Sequence, residues 1–173
     1  AGYAGDFVDQ DLDRQIQITE LNCVTPLILF RSYLPDMVSR DRGFVINVSS
    51  VSAYLPLPTH AIYAATKAYM SFLSLAVNEE LKHRSTKTNV KVITCEPGTV
   101  DDTGFQSAAN QLIHRGHKSS EVVSDCVDAL LRGDRSTVCG SFVWARTVIA
   151  SVLPRRLGLR LAWNAMSKYS SKP

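Results

Sequence analysis

The sequence predicts an α/β fold in which helices cover a parallel sheet. Two apolar runs, 44–48 and 90–95, are rich in β-branched residues and have the length of strands that are buried on both faces. A long segment with helical periodicity, 61–83, lies between them, and another helical pattern precedes the first run. Because helices alternate with short apolar strands along the chain, we expect an α/β domain.

Size and composition are those of an ordinary globular domain. The chain has 173 residues, of which 45% are hydrophobic and 20% are charged. No run approaches the roughly 18 apolar residues of a membrane-spanning helix, and the N-terminus lacks the basic and apolar pattern of a signal peptide. We therefore expect a cytoplasmic protein.

The cysteines and histidines indicate neither a disulfide framework nor a metal site. The chain is long enough to build a core without covalent links, and no two cysteines form a C-x-x-C pair. His114 and His117 are followed by no further ligands at a suitable spacing, so no metal is expected. We expect buried thiols at Cys23, Cys95, Cys126 and Cys139.

The first helix is predicted over residues 12–30, where apolar residues recur at helical spacing. Asn22 lies in its middle, where asparagine has no propensity advantage, so it is either a satisfied buried amide or part of a site. The first interpretation is favoured. Pro26 has no N–H for the helical ladder and should bend the helix one turn after Asn22, which adds weight to the second interpretation because the bend frees backbone groups there.

The first strand and the long helix carry three polar side chains that can form a site. Ser50 follows the run 44–48, at the carboxyl end where open α/β sheets bind ligands. Tyr63 and Lys67 are four residues apart in the helix 61–83, so they lie on one helical face. The apolar positions of this helix include Phe72, Leu73, Leu75, Ala76 and Val77.

The second strand, 90–95, should end at the same edge of the sheet. Pro97-Gly98 turns the chain sharply there, and the polar segment 99–118 could form a lid over the edge.

After this segment, another helix and a last strand are predicted. Apolar residues form one helical stripe that Ser119 or Ser120 could cap and Gly133 could end. Residues 137–143 are predicted as the last strand, in which Gly140 marks a bulge or a close approach.

The C-terminal tail, 145–173, differs in charge from the body, 1–144. The tail has six basic residues and no acidic one, whereas the body has 13 basic against 16 acidic residues, so the net charge of +3 comes from the tail. The tail pattern is that of a cationic amphipathic helix. The residues of this pattern are Leu153, Arg156, Leu157, Arg160 and Leu161.

Two interpretations of this tail remain open. The favoured one is a helix that packs on the domain or on a partner subunit, and the alternative is a peripheral membrane contact. Nucleic acid is not expected as a partner, because no recognition motif accompanies the basic residues.

Taken together, Asn22, Ser50, Tyr63, Lys67 and Pro97-Gly98 resemble the short-chain dehydrogenase/reductases of the classical type. Tyr-x-x-x-Lys alone occurs often by chance, but here it follows the serine by thirteen residues and is accompanied by the helical asparagine and the Pro-Gly turn. The resemblance covers most of the chain. It implies the C-terminal part of a Rossmann-like, doubly wound parallel sheet with flanking helices.

The start of the chain fits the same resemblance. Ala1-Gly2 look like the second half of the family's Asn-Asn-Ala-Gly motif, which follows its fourth strand. The first four strands, with the glycine-rich turn that holds the pyrophosphate, are therefore expected to be absent from this chain.

The resemblance implies that the full-length protein is an NAD(P)-dependent oxidoreductase that interconverts a secondary alcohol and a ketone, with NADP favoured over NAD. Because the pyrophosphate-binding turn is missing, this chain alone is not expected to bind the dinucleotide measurably. Tyr63 would transfer the proton, and Lys67 would lower the pKa of that tyrosine. Lowering it from about 10 to about 7 requires roughly 4 kcal/mol, which an ammonium and a cationic ring could supply together. Ser50 would polarise the substrate oxygen, and Asn22 would hold a water. The implied cofactor-binding residues are Ala1, Gly2, Val48, Tyr63, Lys67, Pro97, Gly98 and Val100.

Two statements about partners follow from the resemblance. The substrate would be a small carbonyl compound or alcohol, and the chain would form a homo-oligomer through the helices 12–30 and 61–83. An alternative function of another class stays open, namely a catalytically silent half-domain that acts through subunit interactions.

Overall fold

A parallel three-stranded sheet forms the centre of the molecule. A computed structural model of the chain describes residues 1–84, 88–109 and 116–167. In these ranges the strands lie in the order β1-β2-β3, and both pairs are parallel. The strands are β1 (Phe44–Val48), β2 (Lys91–Cys95) and β3 (Ser136–Thr137). Val48 is paired with Cys95, so β1 and β2 end together.

Helices flank this sheet. The α-helices of the described residues are α1 (Leu12–Thr19), α2 (Thr25–Ser39), α3 (Ala61–Lys82), α4 (Phe105–Ala108), α5 (Ser119–Arg132), α6 (Ser141–Val152) and α7 (Arg155–Met166). A π-helical turn, Glu20–Val24, joins α1 to α2, and a 3₁₀ turn, Val51–Tyr54, follows β1.

Successive residues of β2 point to opposite faces of the sheet, as the pleat requires. Val92 packs with Phe30 and Leu81, which lie on α2 and α3. Ile93 packs with Ala129 and Leu130, which lie on α5. The predicted α/β fold, with helices on both faces of a parallel sheet, is therefore confirmed.

The last predicted strand is wrong. Only Ser136–Thr137 pair with β2, and Ser141 already begins α6. Gly140 has φ +84°, and a Cβ added there would lie 2.6 Å from Nε2 of His117. The backbone at Gly140 approaches His117 closely, as expected. The chain turns into a helix there instead of continuing as a strand. The division between the predicted body and tail, at residue 144, falls inside this helix.

The start of α5 also differs from the prediction, whereas its end agrees. Ser119 is the first residue of the helix rather than its cap, and its hydroxyl donates to Oδ2 of Asp102 (2.9 Å). The N–H of Lys118 donates to Oε2 of Glu121 (3.2 Å), and the N–H of Glu121 donates to the backbone carbonyl of Lys118 (3.1 Å). Gly133 ends the helix in the left-handed conformation, φ +84°, as predicted.

The prediction of four thiols is wrong for two of the cysteines. Cys95 and Cys126 form a disulfide, whose Cα atoms are 5.9 Å apart. The two cysteines are far apart in sequence and meet because β2 packs on α5. No local sequence pattern predicts this packing. Cys139 is a buried free thiol and Cys23 is a half-buried one.

The described part of the chain contains no group of three or more histidine, cysteine, aspartate or glutamate side chains that could hold a metal ion. His114 lies outside this part. Among the described helices, none is both long and apolar enough to cross a membrane.

Candidate active site

The candidate site lies at the carboxyl ends of β1 and β2. The backbone pairing continues past the strands, because the N–H of Val51 donates to the carbonyl of Pro97 (3.1 Å). Ser50, just before it, is buried and extended. Its hydroxyl accepts a hydrogen bond from the N–H of Ser52 (3.1 Å), where the 3₁₀ turn begins. The serine is thus fixed between a strand end and a turn.

Helix α3 brings Tyr63 and Lys67 to the same edge. The hydroxyl of Ser50 lies beside the phenol of Tyr63 and donates to the carbonyl of Pro97 (3.4 Å). One turn later, Nζ of Lys67 donates to the carbonyl of Val48 (2.7 Å) and lies 5.8 Å from the centroid of the Tyr63 ring. The hydroxyl of Ser49 donates to the carbonyl of Lys67 (2.7 Å), which ties the helix to the strand end. The serine, tyrosine and lysine that the sequence singled out therefore lie together.

The ring of Tyr63 is enclosed by two residues from distant parts of the chain. Phe105, on α4, lies with its ring centroid 5.2 Å from that of Tyr63. A Cβ added at Gly2 would lie 2.9 Å from Cζ of Phe105 and 3.0 Å from Cδ2 of Tyr63. Only a residue without a side chain allows this approach. Sequence reasoning missed Phe105, which carries no motif and comes from the segment expected to form a lid.

Asn22 occupies the π-helical turn, and its side chain is bonded to protein groups. Its Nδ2 donates to the carbonyl of Ala1 (2.7 Å) and to Oγ1 of Thr66 (3.0 Å), and its Oδ1 accepts from the nitrogen of Ala1 (2.8 Å). The helix widens around Asn22 into the π-helical turn, and Pro26 has no N–H to donate to the carbonyl of Asn22. The bend expected one turn after Asn22 stays a prediction. Asn22 joins the start of the chain to α3, and its water-holding role stays a prediction.

Comparison with known proteins agrees with this arrangement. The family model for short chain dehydrogenase matches residues 1–113. The chain belongs to the short-chain dehydrogenase family. The match includes all four predicted catalytic residues.

Curated relatives of this short-chain dehydrogenase are named as reductases. It is 40% identical over 75 residues to the mouse very-long-chain 3-oxoacyl-CoA reductase. The aligned residues are 43% of this chain and 24% of that protein. It is 25% identical over 170 residues to the mouse dehydrogenase/reductase SDR family member 7B. The aligned region covers 92% of this chain and 51% of that protein. The chain thus spans at most about half the length of these two relatives.

Solved structures share the fold of this short-chain dehydrogenase. A 7β-hydroxysteroid dehydrogenase matches with a TM-score of 0.77 and 22% identity, over 94% of this chain and 62% of that one. A short-chain dehydrogenase from Burkholderia cenocepacia in complex with NADP matches with a TM-score of 0.75 and 22% identity, over 96% and 67%.

The pKa values of the two central side chains shift in opposite directions for one reason. Burial raises the pKa of Tyr63, and the neighbouring hydroxyl of Ser50 opposes this rise. Burial lowers the pKa of Lys67 to about 8. Within the chain itself, desolvation therefore outweighs the effect of the neighbouring groups on the phenol. The lowering of this pKa by Lys67 together with a cationic nicotinamide ring stays a prediction.

The predicted cofactor residues outside this cluster take up the following positions. The carbonyl of Val48 accepts the bond from Lys67. Pro97-Gly98 follow β2, and a Cβ added at Gly98 would lie 3.3 Å from Cγ1 of Val143 on α6. Val100 forms a parallel bridge with His117.

These groups fit one end of a dinucleotide. The ammonium of Lys67 and the hydroxyls of Tyr63 and Ser50 are donors suited to a ribose and a carbonyl oxygen. The sequence holds no glycine-rich turn between a strand and a helix that would fit the pyrophosphate. The residues present therefore suit the nicotinamide end, with Tyr63 and Lys67 as its holders.

A buried carboxyl group behind the site was missed by sequence reasoning. Glu96 is 0% exposed and accepts short hydrogen bonds from the hydroxyls of Tyr54 and Ser71. Burial raises the pKa of the Glu96 carboxyl. This cluster ties the 3₁₀ turn that follows Ser50 to β2 and to α3. Its partners are more than twenty residues away in sequence, so no spacing rule reveals it.

Proposed function

We propose that the protein is an NAD(P)-dependent oxidoreductase that interconverts a ketone and a secondary alcohol. The observation that carries this proposal is the convergence of Ser50, Tyr63 and Lys67 at the carboxyl edge of β1 and β2. An acid, a hydrogen-bond donor and an ammonium at one point suit the addition of a proton to a developing alkoxide.

The chain's own residues supply the proton and the orientation. A bound nicotinamide cofactor would supply or take up the hydride. The phenol of Tyr63 donates its proton to the substrate oxygen, and Ser50 donates a hydrogen bond to the same oxygen. Lys67 holds the ribose end and favours the phenolate that the transfer leaves.

The protonated phenol of Tyr63 suits the direction of ketone reduction. A phenol with the ordinary pKa of about 10 is protonated at neutral pH, and burial raises the pKa of Tyr63 above that value. The protonated phenol is the form that donates a proton to a carbonyl oxygen. The reductase names of the relatives support the same direction. Structural neighbours in complex with NADP, NADPH and NADH support a nicotinamide dinucleotide as the cofactor.

The test compares Tyr63→Phe with Tyr69→Phe. Both substitutions remove one hydroxyl from α3, but Tyr69 is exposed and has no part in the site. In a protein that also carries a pyrophosphate-binding glycine-rich turn, we expect Tyr63→Phe to lower the rate of NADPH-dependent ketone reduction at least about 100-fold, the usual contribution of a positioned acid. NADPH affinity should be nearly unchanged in both variants. A Tyr63→Phe variant with the parent rate would contradict the proton-transfer role.

A second candidate function is subunit association without catalysis. The outer sides of α2 and α3 expose large apolar residues, among them Ile28, Tyr33 and Phe72. This surface favours the homo-oligomer that the resemblance implies, with the helices 12–30 and 61–83 at the contact. Association without any NADPH-dependent turnover of ketones would favour this second function over the enzyme.

A further inference from the structure

Helices α6 and α7 combine a buried side with an outer side that is both apolar and basic. On the inner side, Gly158 and Ala162 of α7 are buried. A Cβ added at Gly158 would lie 2.7 Å from Cδ1 of Leu55, so α7 packs closely on the chain after the 3₁₀ turn. This part of the favoured sequence interpretation agrees with the structure. It leaves the outer side of the two helices to be explained.

The outer side of α6 is an exposed apolar stripe. Trp144, Val148 and Val152 are spaced at i, i+4 and i+8, so they share one helical face. They are 56%, 40% and 75% exposed. Ile149 beside them is 58% exposed. A stripe of this kind on a monomer's surface indicates a contact with another molecule or with a lipid surface.

The outer side of α7 adds positive charge to apolar groups. Arg156 and Arg160 form an exposed i, i+4 pair, and Leu157 and Leu161 form an exposed pair beside it. Trp163 is 54% exposed. The whole stretch 145–173 contains six basic residues and no acidic one. A protein surface that covered these helices would have to match a charge of one sign only.

We propose that the outer sides of α6 and α7 form a surface that binds the headgroup region of an anionic bilayer. The apolar stripe would enter the boundary between headgroups and acyl chains, and the arginines would remain among the phosphates. Tryptophan suits this boundary because its ring is apolar and its N–H is polar. The contact that we propose is peripheral.

The two tryptophans of the sequence are Trp144 and Trp163, so tryptophan emission reports on α6 and α7 alone. Vesicles of phosphatidylcholine with phosphatidylserine are titrated into the protein, with pure phosphatidylcholine vesicles in parallel. We expect a blue shift with the anionic vesicles and none with the neutral ones. Bromine-labelled lipids in the anionic vesicles should quench the emission.

Matched variants distinguish binding through this surface from a general electrostatic attraction between a basic protein and anionic vesicles. Arg155→Gln, Arg156→Gln and Arg160→Gln together should lower the partition coefficient roughly 100-fold, because each basic residue at such a surface contributes about fivefold. The control triple, Arg31→Gln, Arg42→Gln and Arg84→Gln, removes the same charge from exposed positions elsewhere and should change it less than about threefold. Val152→Ser should weaken binding roughly tenfold. Far-UV circular dichroism shows whether each variant is folded.

Four outcomes would overturn the proposal. They are the lack of a blue shift, equal binding to neutral vesicles, equal losses in both arginine triples, and a blue shift that depends on protein concentration without vesicles. The last would indicate that a second copy of the chain covers the helices. None of these outcomes bears on Tyr63, so they are distinct from a failure of the proposed reaction.

Discussion

The two sides of helix α3 differ in a way that reverses the usual pattern of a surface helix. The side that faces the sheet is buried and largely polar, with Thr66, Ser71, Ser74 and Asn78. The outward side includes Phe72, which is 71% exposed. Small polar residues let the helix approach the sheet closely, and the hydroxyls of Ser71 and Ser74 find partners there. The comparison teaches that hydrogen bonds, together with the burial of Met70 and Leu81, fix this helix over the site.

The bonds on the inner side are individually identifiable. The hydroxyl of Ser71 donates to Glu96, and the hydroxyl of Ser74 accepts from Nδ2 of Asn47 (2.8 Å) while it donates to the carbonyl of Met70 (2.7 Å). The N–H of Val92 approaches Oδ1 of Asn78 at 3.5 Å. On this side a lost hydroxyl leaves a buried partner unsatisfied, which costs more than the net value of the bond itself.

Removal of the Glu96 carboxyl group should have the largest effect. Glu96→Ala leaves the hydroxyls of Tyr54 and Ser71 without an acceptor and creates a cavity, so we expect a loss of about 3 kcal/mol or more in the free energy of unfolding. Glu96→Gln keeps the volume and one acceptor, and should lose less than half as much. Urea denaturation followed by circular dichroism measures both. A loss below about 1 kcal/mol in Glu96→Ala would show that the cluster stabilises little.

The same residue predicts a pH dependence. The pKa of Glu96 is raised in the folded state from its ordinary value of 4.5, so the folded protein holds more protons than the unfolded chain above that pH. The stability that this group contributes is therefore complete below pH 4.5 and falls as the pH rises toward the folded pKa. Urea midpoints of the parent protein, relative to Glu96→Gln, should decline over this window. A difference that stays constant or grows with pH would contradict the raised pKa.

Sequence reasoning succeeded where the relevant spacing is local. Tyr63 and Lys67 share a face because they are four residues apart, and Ser50 lies at an edge because a strand ends before it. It failed where distant segments meet. The contacts of Tyr63 with Phe105 and of Glu96 with Tyr54 each join residues more than forty positions apart. Apolar periodicity also identifies α3 as a helix without telling which side is buried.

Ser74 provides a further test of the contrast between the sheet-facing side of α3 and its outward side, with a smaller expected effect. Ser74→Ala removes the acceptor of Asn47, and we expect a loss of about 1–2 kcal/mol in the free energy of unfolding. The matched control is Ala76→Ser, which adds a hydroxyl at an exposed position of the same helix. It should cost only the difference in helix propensity, about 0.5 kcal/mol. An unchanged or increased free energy of unfolding in Ser74→Ala would indicate that the bond from Asn47 contributes nothing, because alanine has the higher helix propensity.

Phe72→Ser should have the smallest effect on the isolated chain, although it removes the largest side chain. Because Phe72 is 71% exposed, its removal forfeits little burial, and the free energy of unfolding at low protein concentration should change by less than about 0.5 kcal/mol. If the outward side of α3 is a subunit contact, the same substitution should increase the monomer fraction in sedimentation velocity at higher concentration. A destabilisation above about 1 kcal/mol in dilute monomer would mean that Phe72 packs within its own chain, and the contrast between the two sides would then be lost.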